Sequence, residues 1–161
     1  MGVFMEHVAP AAGAVLAFFL FLAPMKDVRK ATRTRDLGGL NPLPFVLILS
    51  NCLAWIAYGV ALEDWYVFAA NWPGLCMGTY YMLSLMDIAS RQQRQRIRGV
   101  MVFSLVVITG IQMGATLLDD GDEDARKLLF GCTSIFFLLL FWTMPLTELR
   151  NIVRGKDASP I

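Results

Sequence analysis

Residues 45–62, FVLILSNCLAWIAYGVAL, carry no Asp, Glu, Lys or Arg and are bounded by Pro44 on one side and the Glu63-Asp64 pair on the other. An α-helix needs roughly 20 predominantly apolar residues to cross a hydrocarbon layer about 30 Å thick, and this run comes close to that length. Backbone polar groups in lipid must be satisfied within their own segment, so the run reads as a transmembrane helix. The same test finds four more: Val8 to Met25, Trp65 to Ile88 with Asp87 at its end, Val100 to Leu118, and Leu128 to Leu146. With 57% apolar residues, the chain has too little polar sequence to coat a soluble domain. The expected fold class is therefore an all-α integral membrane protein with five transmembrane helices. The first span is Ala-rich, but no basic residue precedes it and Lys26, Arg29 and Lys30 follow it, the reverse of signal-peptide order.

Positive charge concentrates in cytoplasmic loops. Lys26, Arg29, Lys30, Arg33 and Arg35 follow the first span; Arg91, Arg94, Arg96 and Arg98 follow the third; Arg150, Arg154 and Lys156 follow the fifth. Twelve of the 14 Lys and Arg thus lie on one side. The alternate loops hold Glu63, Asp64, Asp119, Asp120, Asp122, Glu123 and Asp124, opposed only by Arg126 and Lys127. The amino terminus is expected outside and the carboxyl terminus in the cytosol. The Arg91–Arg98 run reads as a topology determinant in preference to a nucleic-acid or anionic-lipid patch. The acidic stretch lacks the spacing of a Ca²⁺ loop and reads as a solvated turn.

The first and fifth spans also repeat each other. An offset of 121 residues lays Pro145 on Pro24, Arg150 on Arg29, Arg154 on Arg33 and Asp157 on Asp36, with Glu148 on Asp27 and Lys156 on Arg35. Both copies leave the membrane on the same side, so the repeat is parallel and needs one helix between the units to restore direction. The expected organisation is a three-helix bundle over residues 1–90, a linker helix with its loops over 91–126, and the first helix of an incomplete second bundle over 127–161. Helices matching the second and third of the first bundle are expected to be missing before Ile161.

At this level the chain resembles a known family. Ala23-Pro24-Met25, a basic segment, Asn41 to Phe45 (NPLPF), Asn51 to Gly59 (NCLAWIAYG), an acidic pair, and Asn71 to Gly74 (NWPG) followed by Tyr80 are similar to the SWEET sugar transporters of the PQ-loop clan. The resemblance implies a facilitative carrier of mono- or disaccharides with seven helices arranged 3 + 1 + 3. It places a sugar between two bundles, held by an Asn from each third helix and by aromatic or small polar residues from each second helix. Those positions are Asn71 and Trp55 here. It also implies a proline in each of the first two helices of each bundle, at Pro24, Pro44 and Pro145, which permits bending; the fourth falls beyond Ile161. Half of the family's site is therefore expected to lie outside this chain, to be completed by a longer parent chain or by a homo- or hetero-oligomer.

The residues themselves fit those roles without requiring them. A carboxamide in a span must find partners, and Asn71 could give them to another helix or to vicinal sugar hydroxyls; with the motif beside it, a sugar is the expected partner. Trp55 lies near mid-membrane, where an indole could pack a core or cover the apolar face of a pyranose. Tyr58, three residues on, shares its helical face and is a candidate donor behind it. The three prolines read equally as helix-end punctuation or as hinges. Gly74 and Gly78 form a small-x-x-x-small packing surface.

Other classes find little support. His7 is the single histidine and reads as a solvated residue before the first helix, and Cys52, Cys76 and Cys132 sit in apolar runs as packing residues. No cofactor, metal site, nucleic-acid partner or enzymatic constellation is expected. No charged residue sits mid-span, and the Pro-Gln pair typical of other PQ-loop carriers is replaced by Pro42-Leu43 or Pro44-Phe45, both departures favouring a neutral solute. The remaining alternatives are a carrier of another small neutral solute and a non-transporting subunit that binds full-length relatives. The expected location is a plasma membrane or endomembrane.

Overall fold

A computed structural model of the chain describes residues 4–117 and 123–157. A π-helical turn, Phe4–Val8, leads into α1 (Ala9–Leu22), followed by α2 (Met25–Thr34), α3 (Leu43–Ala61), α4 (Trp65–Met86), α5 (Arg91–Thr116) and α6 (Glu123–Asp157). The all-α fold class stands. The α1–α2 segment taken together, α3, α5 and α6 are each long and apolar enough to cross a membrane. The 22 residues of α4 carry no charge, but their Trp, Tyr, Asn and Pro content lowers their apolarity; α4 packs between α1 and α3.

The expected loop after the first span is instead the helix α2. Val28 and Ala31, three residues apart, are buried against Phe45, Tyr81 and Leu85, so one stripe of α2 packs inward. The break before α2 comes from Pro24. Having no N–H, it cannot donate to the Leu20 carbonyl, which instead accepts from the Ala23 N–H at 3.2 Å. The Tyr81 hydroxyl donates to the neighbouring Phe21 carbonyl at 2.8 Å and ties the break to α4.

The helix α5, expected as a linker, likewise begins well before Val100. Ser90 and Gln93 form a reciprocal capping box, satisfying two backbone donors and starting the helix within the arginine run. At the other end of α3, Asp64 caps α4 by accepting from the Val67 N–H at 3.1 Å. The basic segments of α2 and α5 thus share one end of the molecule, and Glu63 and Asp64 lie at the other.

The centre is α3, which packs against α4, α5 and α6. Glycines allow the closest approaches. A Cβ on Gly74 would lie 2.5 Å from Cys52 Sγ and 2.5 Å from Phe21 Cζ, so α1, α3 and α4 meet there. Gly78 packs on Leu49 in the same way, as the small-x-x-x-small reading expects. Cys52 is fully buried at the junction, and all three cysteines are free.

Candidate functional site

The packing of α3 on α4 leaves an open cleft of about 470 Å³ toward the acidic end. That is within the usual range for small-molecule pockets, about 300–1,000 Å³. Asn51 and Trp55 enter from α3, one helical turn apart, and Asn71 enters from α4. Pro10, Gly13 and Ala14 of α1 form a small-residue wall, and a Cβ on Gly13 would meet nothing within 4 Å. Leu138 of α6 closes another side, so the helix expected to open the second repeat contributes to the cleft.

Asn71 is held in a defined orientation. Its Nδ2 donates to the Val67 carbonyl one turn back at 2.8 Å, and it makes no hydrogen bond to another helix among the described residues. One carboxamide N–H is used within α4, leaving the other N–H and Oδ1 available. Two residues on, Pro73 lies inside α4 and withholds the N–H that the Ala69 carbonyl would accept.

Trp55 presents its ring to the cleft, and its indole N–H has no hydrogen-bond partner among the described residues. Tyr58 does not line the cleft. Its ring stands edge-on to Trp55, with centroids 5.5 Å apart at 66°, and its outer edge lies toward Gly131 of α6. It braces the indole from behind. The prolines are spread differently. Pro24 stands at the α1–α2 break, and Pro44 occupies the first turn of α3, where its missing N–H disturbs no intrahelical bond. Pro145 lies outside the residues whose side chains are described, as do Asp119 to Asp122.

Asn51 escaped the sequence reading. Its Oδ1 is buried with no hydrogen-bond partner, and the residue lines the same cleft as Asn71. A buried unsatisfied carboxamide oxygen costs about 1–3 kcal/mol, so it marks a place where a donor is wanted. The signal in the sequence was its spacing, since a residue four before Trp55 must share its helical face. His7 is exposed as expected, but its Nδ1 lies 2.7 Å from the hydroxyl of Tyr66, which lines the cleft's outer end.

Four helices apolar and long enough to cross a membrane, around a mostly apolar cleft that holds two carboxamides, define a multi-pass membrane protein. A family profile described as sugar efflux transporter for intercellular exchange matches residues 10–93, and the chain belongs to that family, known as MtN3 or SWEET. The chain is 26% identical to the bidirectional sugar transporter SWEET5 of Arabidopsis thaliana, over 90% of this chain and 61% of that one. It is also 26% identical to SWEET1 of Arabidopsis thaliana, over 90% of this chain and 59% of that one, and to SWEET1a of Oryza sativa subsp. japonica, over 95% and 58%. The chain thus spans about three-fifths of the length of these relatives. A solved structure of a eukaryotic SWEET transporter superposes with a TM-score of 0.73 at 22% identity, covering 92% of this chain and 70% of that one, which establishes the fold.

Proposed function

We propose that the chain supplies one half of an alternating-access sugar carrier, in which Asn71, Asn51 and Trp55 bind a mono- or disaccharide. The observation that carries this reading is the convergence of two carboxamides and an indole on one cleft of about 470 Å³. Asn51 and Asn71 bring carboxamides to sugar hydroxyls, and the indole face covers a pyranose C–H face. Tyr58 acts as a positioning residue behind Trp55. Residues 1–90 form the first bundle, 91–126 the linker, and 127–161 the opening helix of the second. The basic end faces the cytosol by the charge rule.

Leu138 of α6 on the cleft wall favours completion by further helices beside α6, from a longer parent chain or from a second molecule. Pro24 serves as a hinge, supported by the broken α1–α2 junction; Pro44 and Pro145 are proposed in the same role on the family pattern alone.

Radiolabelled glucose and sucrose uptake in transport-deficient cells tests the reading. Wild-type chain is expected to give saturable uptake, and Asn71→Ala, Asn51→Ala or Trp55→Ala to reduce it by about tenfold or more, as loss of a buried polar or stacking contact implies. A wild-type chain that inserts but gives no uptake would sink independent transport and favour the non-transporting subunit. Sugar binding by the purified chain, followed through tryptophan fluorescence, then tells an intact half-site from none.

A further inference from the structure

We propose that the first two turns of α5 form a headgroup site for an inositol phospholipid carrying ring phosphates, read by Arg91, Arg94 and Arg98. These three residues and Gln95 line a surface concavity of about 490 Å³. Their i, i+3, i+7 spacing puts them on one helix face. The rotation of that face is set by Ile97, which is 1% exposed in a cluster with Val46, Leu49 and Met82. With Ile97 turned into the core, the arginines are held outward.

None of the three has an acidic partner: the ion pair among the described residues is Lys127–Glu123, at the other end of the molecule. Asp87, the acid nearest in sequence, pairs with none of them. The amino-terminal end of α5 adds positive potential of the same sign. Three guanidinium groups line one concavity with no acidic partner among the described residues, and each presents a planar fork suited to a phosphate.

Depth selects the anion. The uncharged part of α5 begins at Gly99, and a helix rises about 1.5 Å per residue. Arg98 then lies at the hydrocarbon edge, Arg94 about 6 Å further out and Arg91 about 10 Å out. One headgroup layer is only about 5–8 Å thick. A serine phospholipid meets Arg98 and leaves the outer arginines unused, whereas inositol ring phosphates project to their level. The basic face of α2, with Lys26, Arg29, Lys30 and Arg33 at the same end, strengthens the attraction to any acidic leaflet without selecting among lipids.

Direct binding to the purified full chain in detergent tests this, using short-chain phosphatidylinositol bisphosphate, short-chain phosphatidylserine and free inositol trisphosphate. Wild-type chain is expected to bind the bisphosphate lipid about tenfold or more tighter than phosphatidylserine. Arg91→Gln, Arg94→Gln and Arg98→Gln should each weaken it about fivefold, as about one basic contact per arginine implies. Arg96→Gln, exposed on the same helix but outside the concavity, should change it less than about twofold. Equal affinity for the two lipids, or an Arg96→Gln effect matching that of Arg94→Gln, overturns the site in favour of diffuse attraction. Free trisphosphate binding as tightly as the lipid overturns the membrane source. Should a variant fail to fold, the wild-type lipid preference still decides.

Discussion

The helices α1 and α3 are both apolar enough to cross a membrane, yet the fold uses them in opposite ways. Other helices bury 56% of the apolar stretch of α3, against 6% for that of α1 and its continuation. The difference lies in small residues. Ser50, Cys52, Ala54, Ala57 and Gly59 of α3 are all buried, letting α4, α5 and α6 approach closely. Val15, Leu16, Phe19 and Leu20 of α1 face outward instead. Apolarity admits a helix to the bilayer; small side chains and buried polar groups choose its neighbours.

The sharpest way to break this contrast is truncation at matched positions. Leu49→Ala in α3 removes a side chain that is 5% exposed and packed with Val46, Met82 and Ile97, and should cost about 2–4 kcal/mol of stability. Leu20→Ala in α1 removes one that is 72% exposed and should cost less than about 0.5 kcal/mol. Thermal unfolding in detergent measures both. A Leu20 cost equal to that of Leu49 would mean that another helix covers α1 in the working protein.

Glycines extend the comparison with a smaller effect. A Cβ on Gly59 would sit 2.9 Å from the Asp64 carbonyl oxygen and 3.0 Å from the Phe68 nitrogen, both backbone atoms that cannot yield without moving the α3–α4 turn. Gly59→Ala should therefore destabilise by about 1–3 kcal/mol. Gly13→Ala has open space and should be neutral or slightly stabilising through helix propensity, read in the same unfolding assay.

The bond joining α1 to the core is weaker still. Tyr81→Phe leaves the packing intact but orphans the Phe21 carbonyl, and should cost about 1 kcal/mol in the same unfolding measurement. Smallest of all is Lys127→Ala. Its 2.7 Å contact with Glu123 joins two exposed side chains one turn apart, and its loss should leave the unfolding temperature unchanged.

Much of this was legible along the chain. Charge-free runs located the spans because lipid excludes charge, and alternating basic and acidic segments sorted the loops because a helix must reverse direction at each crossing. Asn71 and Trp55, singled out by motif and chemistry, do meet in one cleft. Asn51 was not singled out, since a carboxamide in a span gives no sign of whether its oxygen is satisfied until its neighbours are in place. The helix α2 was read as a loop because its four basic residues masked the inward stripe of Val28 and Ala31.

The sequence by itself determined that the chain enters a membrane as an all-α protein and which segments are basic, because those properties depend on transfer energies summed locally along the chain. Only the tertiary structure decided which helix lies at the centre, that Tyr58 turns behind Trp55 and not into the cleft, and that Asn51 lines the same cleft as Asn71. Those depend on a few close approaches, at Gly59, Gly74 and Gly78, between segments distant in sequence. Steric complementarity of that kind leaves no periodic trace in a single chain.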